Sequence, residues 1–315
     1  MSRESIRVGI VAPVHNRKEI TLQCLRSLSR IEREGIDVHI VIVDDGSTDG
    51  TSETIREEFP SVELIQADGS LWFTEGTNVG IRGALKHDPK YVLLINDDSL
   101  FDPHFLTSLV ETAETNPRSV VGPLLLLWDE PHKVFQTSPV WNTWRGGWRH
   151  WYQQTVWTVP KKPWNVDIIV GNCVLVPAEA MRELGLMNSQ RYPNFGDAEF
   201  TPRLKRGGWQ LVINPAARVF CQPNTPPPRL RKMGLRPLYN DLIGDLGRNH
   251  NLRRRAYSYI DGAPSKLKGL VGFAIFMIRV LMGSRPDSLE STRHDTEEPL
   301  SKTFASAVID DERTS

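Results

Sequence analysis

The segment Val41-Ile42-Val43-Asp44-Asp45-Gly46-Ser47-Thr48-Asp49-Gly50 constrains this chain more than any other. An unbroken β-branched run reads as a strand covered on both faces, the habit of parallel sheets flanked by helices. Two carboxylates follow it, and then glycine, serine and threonine turn the chain. Open α/β sheets bind ligands outside the carboxyl ends of such strands. Asp and Ser in this position also cap a following helix, and that reading accounts for the segment equally well on its own. The pattern returns at Tyr91-Val92-Leu93-Leu94-Ile95-Asn96-Asp97-Asp98. Two buried strands ending in paired acids at one sheet edge point to a site for a metal and a charged ligand.

The rest of the chain supports that architecture. Residues 6–14 read as a first strand, 15–17 as a polar turn, and 18–34 as a helix with Ile20, Leu22, Leu25, Leu28 and Ile31 near one face. A strand at 38–43, a helix near 49–58 and a strand at 62–66 follow. A loop around 69–77 then leads to a helix near 77–87, a strand at 91–95 and a helix at 103–115. Alternating β and α elements of this kind predict a doubly wound, mostly parallel sheet. A strand is expected again at 167–176, a helix at 177–185, an acid-bearing loop at 195–199, a helix to Gly207-Gly208 and a strand at 209–213. The Pro-rich stretch 223–228 reads as a boundary. The expected division is a main domain over 1–228, with halves of about 1–118 and 119–228, a helical region over 229–283 and a polar, disordered tail over 284–315.

Composition narrows the function classes. The 315 residues carry zero formal net charge, so no basic field argues for nucleic acid. Cys24, Cys173 and Cys221 are odd in number and far apart in sequence, which fits neither a zinc ligand set nor a disulfide framework. The chain enters its first strand without a signal-peptide hydrophobic region, and no apolar run reaches the roughly 18–20 residues of a membrane span. A cytoplasmic protein, soluble or peripheral on the inner face of the membrane, is expected. His15, His39, His87, His104 and His132 stand apart in the sequence and read as surface or loop residues.

Together, several segments resemble the inverting family-2 glycosyltransferases of GT-A fold, and among these the rhamnosyltransferase-type enzymes of bacterial surface polysaccharides. They are Val11-Ala12-Pro13-Val14-His15-Asn16, Val43 to Asp49, Gly76-Thr77-Asn78-Val79-Gly80, Leu94 to Ser99, Gly171-Asn172-Cys173, Phe195-Gly196-Asp197-Ala198-Glu199 and Arg203 to Trp209. The resemblance spans roughly residues 6–222. It implies a nucleotide-diphospho-sugar donor, a saccharide or lipid-linked saccharide acceptor, and Mg²⁺ or Mn²⁺ on the diphosphate. Asn96-Asp97-Asp98 matches the family's Asp-x-Asp position, with Asp98 as metal ligand and Asp97 facing the sugar, the ribose or a metal-bound water. Asp44 matches the carboxylate that receives the base imide, and Asp45 orients the adjoining turn. Pro13, Val14 and Asn16 line the nucleotide cleft through backbone groups. Asn78, read as opening a helix, either reaches the ribose or diphosphate or caps that helix. Asp197 matches the catalytic base, which takes the proton of the attacking hydroxyl. Glu199 belongs to the same catalytic loop, or pairs with Arg203 one helical turn on.

The chain departs from the family pattern at two points. Gly196 replaces the first acid of the base motif, and Cys221 stands where many relatives carry a histidine. A thiolate suits Mg²⁺ or Mn²⁺ poorly. Residues 128–164 hold seven of the nine tryptophans. Trp144, Trp148 and Trp151 are candidates for stacking on an acceptor sugar, with a local mini-core or an oligomer contact as the alternative. The basic C-terminal region, with its apolar run 270–282, reads as an interfacial amphipathic helix or as a helix packed on the catalytic domain. Two other functions compete. One is a non-catalytic carbohydrate- or nucleotide-binding relative. The other is a sugar nucleotidyltransferase, which the absence of a Gly-rich phosphate loop after the first strand disfavours.

Overall fold

The computed structural model describes residues 5–136, 140–149, 154–222 and 252–282. A ten-stranded sheet forms the centre. Its first half follows the βα alternation: β1 (Ile6–Val14), α1 (Lys18–Ser29), β2 (Ile36–Asp45), α2 (Thr51–Glu58), β3 (Glu63–Ala67), α3 (Trp72–Leu85), β4 (Tyr91–Ile95), β5 (Ser99–Phe101) and α4 (Phe105–Thr115). The second half of the chain holds β6 (Ser119–Leu127), β7 (Val134–Gln136), β8 (Val140–Asn142), β9 (Gly147–Arg149), β10 (Trp164–Asn165), β11 (Cys173–Pro177), α5 (Ala178–Leu184), α6 (Asp197–Arg206) and β12 (Gln210–Cys221), with β8 and β9 paired in a separate two-stranded sheet. Helices α7 (Leu252–Gly262) and α8 (Lys266–Leu281) follow. The expected boundary at 223–228 and the tail at 284–315 lie outside the described residues, as does the basic stretch 229–251.

The main strand order is β10-β12-β6-β11-β4-β1-β2-β3. β4, β1, β2 and β3 pair in parallel, while β11 runs antiparallel between β4 and β6. Along this path only β11 and β10 oppose the common direction, and off it β5 and β7 pair antiparallel, so the mostly parallel sheet expected from the sequence is present. Both faces are covered. Ile10, Ala12, Ile42 and Leu93 pack toward α1 and α4, and their neighbours Val11, Val41, Val92 and Leu94 pack toward α3 and α6. This two-sided burial is why these strands are continuously apolar.

Helix α3 begins five residues earlier than its sequence suggests, because its opening is stabilised from a distant strand. The Asp45 carboxylate at the end of β2 accepts N–H groups from Gly69 (2.9 Å), Leu71 (3.1 Å) and Trp72 (3.0 Å). Acids next to free N–H groups at a helix start are favourable. Asp45 therefore orients the loop that opens α3 and not the Gly46–Thr48 turn. The helix then lies close on the sheet through small residues. A Cβ at Gly80 would collide with Val11, and one at Gly76 would press on Pro13 at 3.0 Å.

The strand expected over 167–176 forms only at Cys173–Pro177. Upstream, the backbone turns to other partners. Ile169 N donates to Thr201 Oγ1 (3.1 Å) and Gly171 N to Asp197 Oδ2 (2.9 Å). Residues 168–172 thus become a loop at the site.

Candidate active site

Four carboxylates from β2 and β4 gather at one sheet edge, and the chain compensates each differently. Asp44 is 1% exposed. It accepts Ser47 N (2.9 Å) and the Ser52 hydroxyl. Its carboxylate thereby builds the turn after β2 and presents no open face to a base imide. Asn16 joins this turn to the one after β1. Its N–H donates to Ser47 Oγ (2.9 Å), and its Oδ1 accepts Thr48 N (2.7 Å). The residue adopts φ 50°, a conformation Asn tolerates better than most side chains. His15 Nδ1 lies 2.5 Å from Asp45 O. Pro13 and Val14 end β1, with Val14 paired to Asp44.

Asp97 and Asp98 are held by Arg17, a residue the sequence motifs leave unremarked. Its guanidinium reaches Asp97 Oδ1 at 3.0 Å and Asp98 Oδ2 at 2.9 Å. Thr21 donates to the other Asp97 oxygen (3.1 Å). Burial pushes the Asp97 carboxyl up to about 6, against the lowering pull of Arg17. Asp97 is thus fully partnered, whereas Asp98 Oδ1 and the neighbouring Asn96 Oδ1 are buried without a partner. Orphaned buried oxygens are costly unless something binds them. Oxygen donors of this type suit Mg²⁺ or Mn²⁺. Cys221, beneath Asp98, is fully buried, and burial together with the Asp98 charge pushes its thiol far above the ordinary range. It stays a neutral thiol 3.9 Å from Ser99 Oγ and is no hard-metal ligand.

The loop that carries Asp197 stands next to this edge. Asn96 N donates to Asn172 O (3.0 Å), and the adjacent Gly171 N donates to Asp197 Oδ2 (2.9 Å). A Cβ at Gly171 would lie 3.0 Å from that of Asp197, so glycine permits the approach. Burial raises the Asp197 carboxyl above its usual range, and backbone N–H groups of Gly171 and Ala198 offset part of the rise. The loop is fixed from α3 as well. Thr74 N donates to Pro193 O (2.8 Å), and Gly196 N donates to Thr74 Oγ1 (3.2 Å). A Cβ at Gly196 would meet Thr74 at 2.5 Å. The family's acid at Gly196 is therefore sterically excluded here.

Glu199 behaves as its helical spacing with Arg203 suggests. Its Oε1 meets Arg203 Nε at 2.6 Å, and the same guanidinium donates to the carbonyls of Leu184 and Leu186. Glu199 is buried, and its other oxygen, Oε2, has no partner. Asn78 lies inside α3 and not at its start. Its amide exchanges both hydrogen bonds with the Met187 backbone (2.8 and 3.1 Å), which accounts for its burial without any ligand.

The tryptophans divide. Trp141 and Trp148 meet edge to face at 5.0 Å, and Trp141 continues to Tyr259 and on to Phe276. Gly262 of α7 sits against the Trp148 ring. These rings form the mini-core that seats α7 and α8, and Trp148 is half-buried within it. Trp144 is 82% exposed. Trp151 lies outside the described residues. Helix α7 also backs the segment leading to Asp197, with Asp261 accepting the Tyr192 hydroxyl (2.6 Å) and pairing with Arg191 (3.0 Å).

Known proteins resemble both the sequence and the fold. The family model described as glycosyl transferase family 2 matches residues 9–185. An N-acetylglucosaminyl-diphospho-decaprenol L-rhamnosyltransferase of Mycobacterium tuberculosis (strain H37Rv) is 25% identical over 206 residues, 58% of this chain and 66% of that protein. The chain thus spans just under two thirds of that relative's length. The crystal structure of GalNAc-T7 with UDP, GalNAc and Mn²⁺ superposes with a TM-score of 0.59 at 13% identity, over 89% of this chain and 57% of that one. S. aureus TarS 1-349 in complex with UDP-GlcNAc gives 0.54 at 13%, over 89% and 74%.

Removing Arg17 tests the charge balance at the edge. Arg17→Ala leaves Asp97 and Asp98 uncompensated, at a cost of about 1–3 kcal/mol. The variant should melt lower than the wild type without metal, and Mn²⁺ should raise its melting temperature by more than it raises that of the wild type. Identical Mn²⁺ responses would show that Arg17 and the metal do not share Asp98.

Proposed function

Because the chain belongs to glycosyl transferase family 2, we propose that it is an inverting glycosyltransferase that moves a sugar from a nucleotide-diphospho-sugar to a saccharide or lipid-linked saccharide acceptor. The observation that carries this reading is the orphaned oxygens Asn96 Oδ1 and Asp98 Oδ1, in a loop joined to Asp197 through two hydrogen bonds by way of Gly171-Asn172. Asp98 and Asn96 would hold Mg²⁺ or Mn²⁺, which neutralises charge on the departing diphosphate when bound. Arg17 keeps that edge poised for a polyanion. The turns joined by Asn16 and Ser47 supply backbone groups for the nucleoside.

Asp197 supplies the other half of the reaction. Held through one oxygen by Gly171, its carboxylate takes the acceptor hydroxyl's proton as that oxygen attacks the anomeric carbon from the side opposite the diphosphate. Glu199 keeps the loop in place through Arg203 and takes no proton. Likeness to the mycobacterial relative favours a rhamnosyl-type donor and an acceptor on a polyprenyl diphosphate, as in surface-polysaccharide synthesis at the inner membrane face.

Helix α8 supports a membrane-side acceptor. Among the described residues no helix is long and apolar enough to cross a membrane. Yet Leu267 (72%), Leu270 (53%) and Ile278 (55%) are exposed along α8, near Lys266 and Lys268. Its other face packs on the Trp141 mini-core, with Gly272 against that ring. Such a helix suits shallow insertion at an anionic interface.

Two measurements check this reading. Calorimetric titration with nucleoside diphosphate and Mn²⁺ should show metal-dependent binding to the wild type that Asp98→Ala abolishes, with the fold retained. Unchanged affinity in the variant would exclude Asp98 as a ligand. Sedimentation with anionic liposomes should show binding that weakens with salt. The double variant Leu270→Glu, Ile278→Glu should lose it, and equal partitioning of both proteins would make α8 ordinary packing.

A further inference from the structure

The histidines that stand apart in sequence do not all stand apart in the fold. His39 of β2, Glu63 of β3 and His87 in the turn after α3 bring their ligand atoms within 4.8 Å of one another. Both Nε2 atoms converge on a single oxygen, Glu63 Oε2, at 2.7 Å from His39 and 3.0 Å from His87. The two rings are tilted by 36° to each other, with centroids 3.8 Å apart.

We propose that His39, Glu63 and His87 form a second metal site, for a borderline transition-metal ion of the Zn²⁺ class. Two imidazoles and one carboxylate are a donor set that such ions take, leaving a further position for water. Zinc ligands stand about 2.0–2.2 Å from the ion. Three atoms already this close need only a small withdrawal of the carboxylate to admit it. The site is also distinct from the acidic edge. His39 precedes Asp45 by six residues along an extended strand, a separation of about 20 Å.

The surroundings favour a built site over a chance meeting. Each ligand comes from a different element, and each backbone is anchored. His39 pairs in register with Gly9 of β1, and Glu63 pairs with Val41. The His87 carbonyl accepts from Arg7 Nη1 at 3.0 Å, and Arg7 in turn binds Asp88. Side-chain exposures of 33%, 29% and 48% leave an open route from solvent. A single hydrogen bond would tie β3 to either neighbour. Two imidazoles on one oxygen instead form a cluster that a divalent cation completes, stapling the edge strand β3 to β2 and to the end of α3.

Equilibrium dialysis of the full chain against Zn²⁺, in an Asp98→Asn background to silence the oxygen site, tests the proposal. One equivalent should bind, and His39→Gln and His87→Gln should each weaken it by at least about tenfold, since loss even of a ligand's outer partner costs that much. Zn²⁺ should raise the melting temperature of the parent and not of the His variants. In the Asp98-containing chain, either His substitution should leave sugar transfer unchanged. Wild-type Zn²⁺ affinity in both His variants, or no bound equivalent in the parent, would overturn the site. Co²⁺ added to the unsubstituted chain offers a readout independent of the variants' folding. Intense visible bands of tetrahedral Co²⁺ are expected, and their absence would also overturn it.

Discussion

The structure depends on how four carboxylates are held together at the carboxyl edge of one sheet. Uncompensated, they would repel one another in a partly dry setting. Hydroxyl and backbone N–H groups bind Asp44, three amides of the loop before α3 bind Asp45, and Arg17 spans Asp97 and Asp98. Each compensating group shapes the chain that carries it. The turns after β1 and β2 interlock, α3 starts at Trp72, and the Asn96–Asp98 loop presents two unpaired oxygens.

These contacts close into a ring. Asp45 fixes the start of α3, Thr74 of α3 fixes Gly196, and the next residue, Asp197, is held by Gly171. Asn172 then returns to Asn96, beside the clamp of Arg17. The acidic edge and the Asp197 loop therefore belong to one frame, although Asp97 and Asp197 lie a hundred residues apart in the chain. Glu199 with Arg203, Asn78 with Met187, and Asp261 with Tyr192 brace the outside of that frame. A substitution in the bracing should shift geometry at Asp197 before it unfolds the domain.

What was legible in the sequence is what local pattern encodes. Apolar runs ending in acids placed β2 and β4, and the order of short motifs gave the fold. Helical spacing anticipated the Glu199–Arg203 pair. What was not legible came from contacts distant in sequence. Arg17 is one basic residue in a polar turn until topology sets it opposite β4. Asp45 resembles a turn residue until it reaches across to α3. Nothing local distinguishes the packed Trp148 from the exposed Trp144, or joins His39 to His87. Residues 168–170 are as apolar as a strand, but side chains of α6 claim their backbone.

The most direct test of the account is the comparison of Asp197→Asn with Glu199→Gln in sugar transfer and in nucleoside diphosphate binding. A base whose carboxyl burial has raised must lose its proton before it can act, so the wild-type rate should fall in acid at a pH above the ordinary carboxylate value of about 4. Asp197→Asn should bind nucleoside diphosphate with Mn²⁺ as the wild type does and transfer sugar about 10²–10⁴-fold more slowly, without that acid limb. Glu199→Gln should keep the limb and most of the rate. An Asp197→Asn variant with near-normal turnover, beside an inactive Glu199→Gln, would contradict the account and move the base to Glu199.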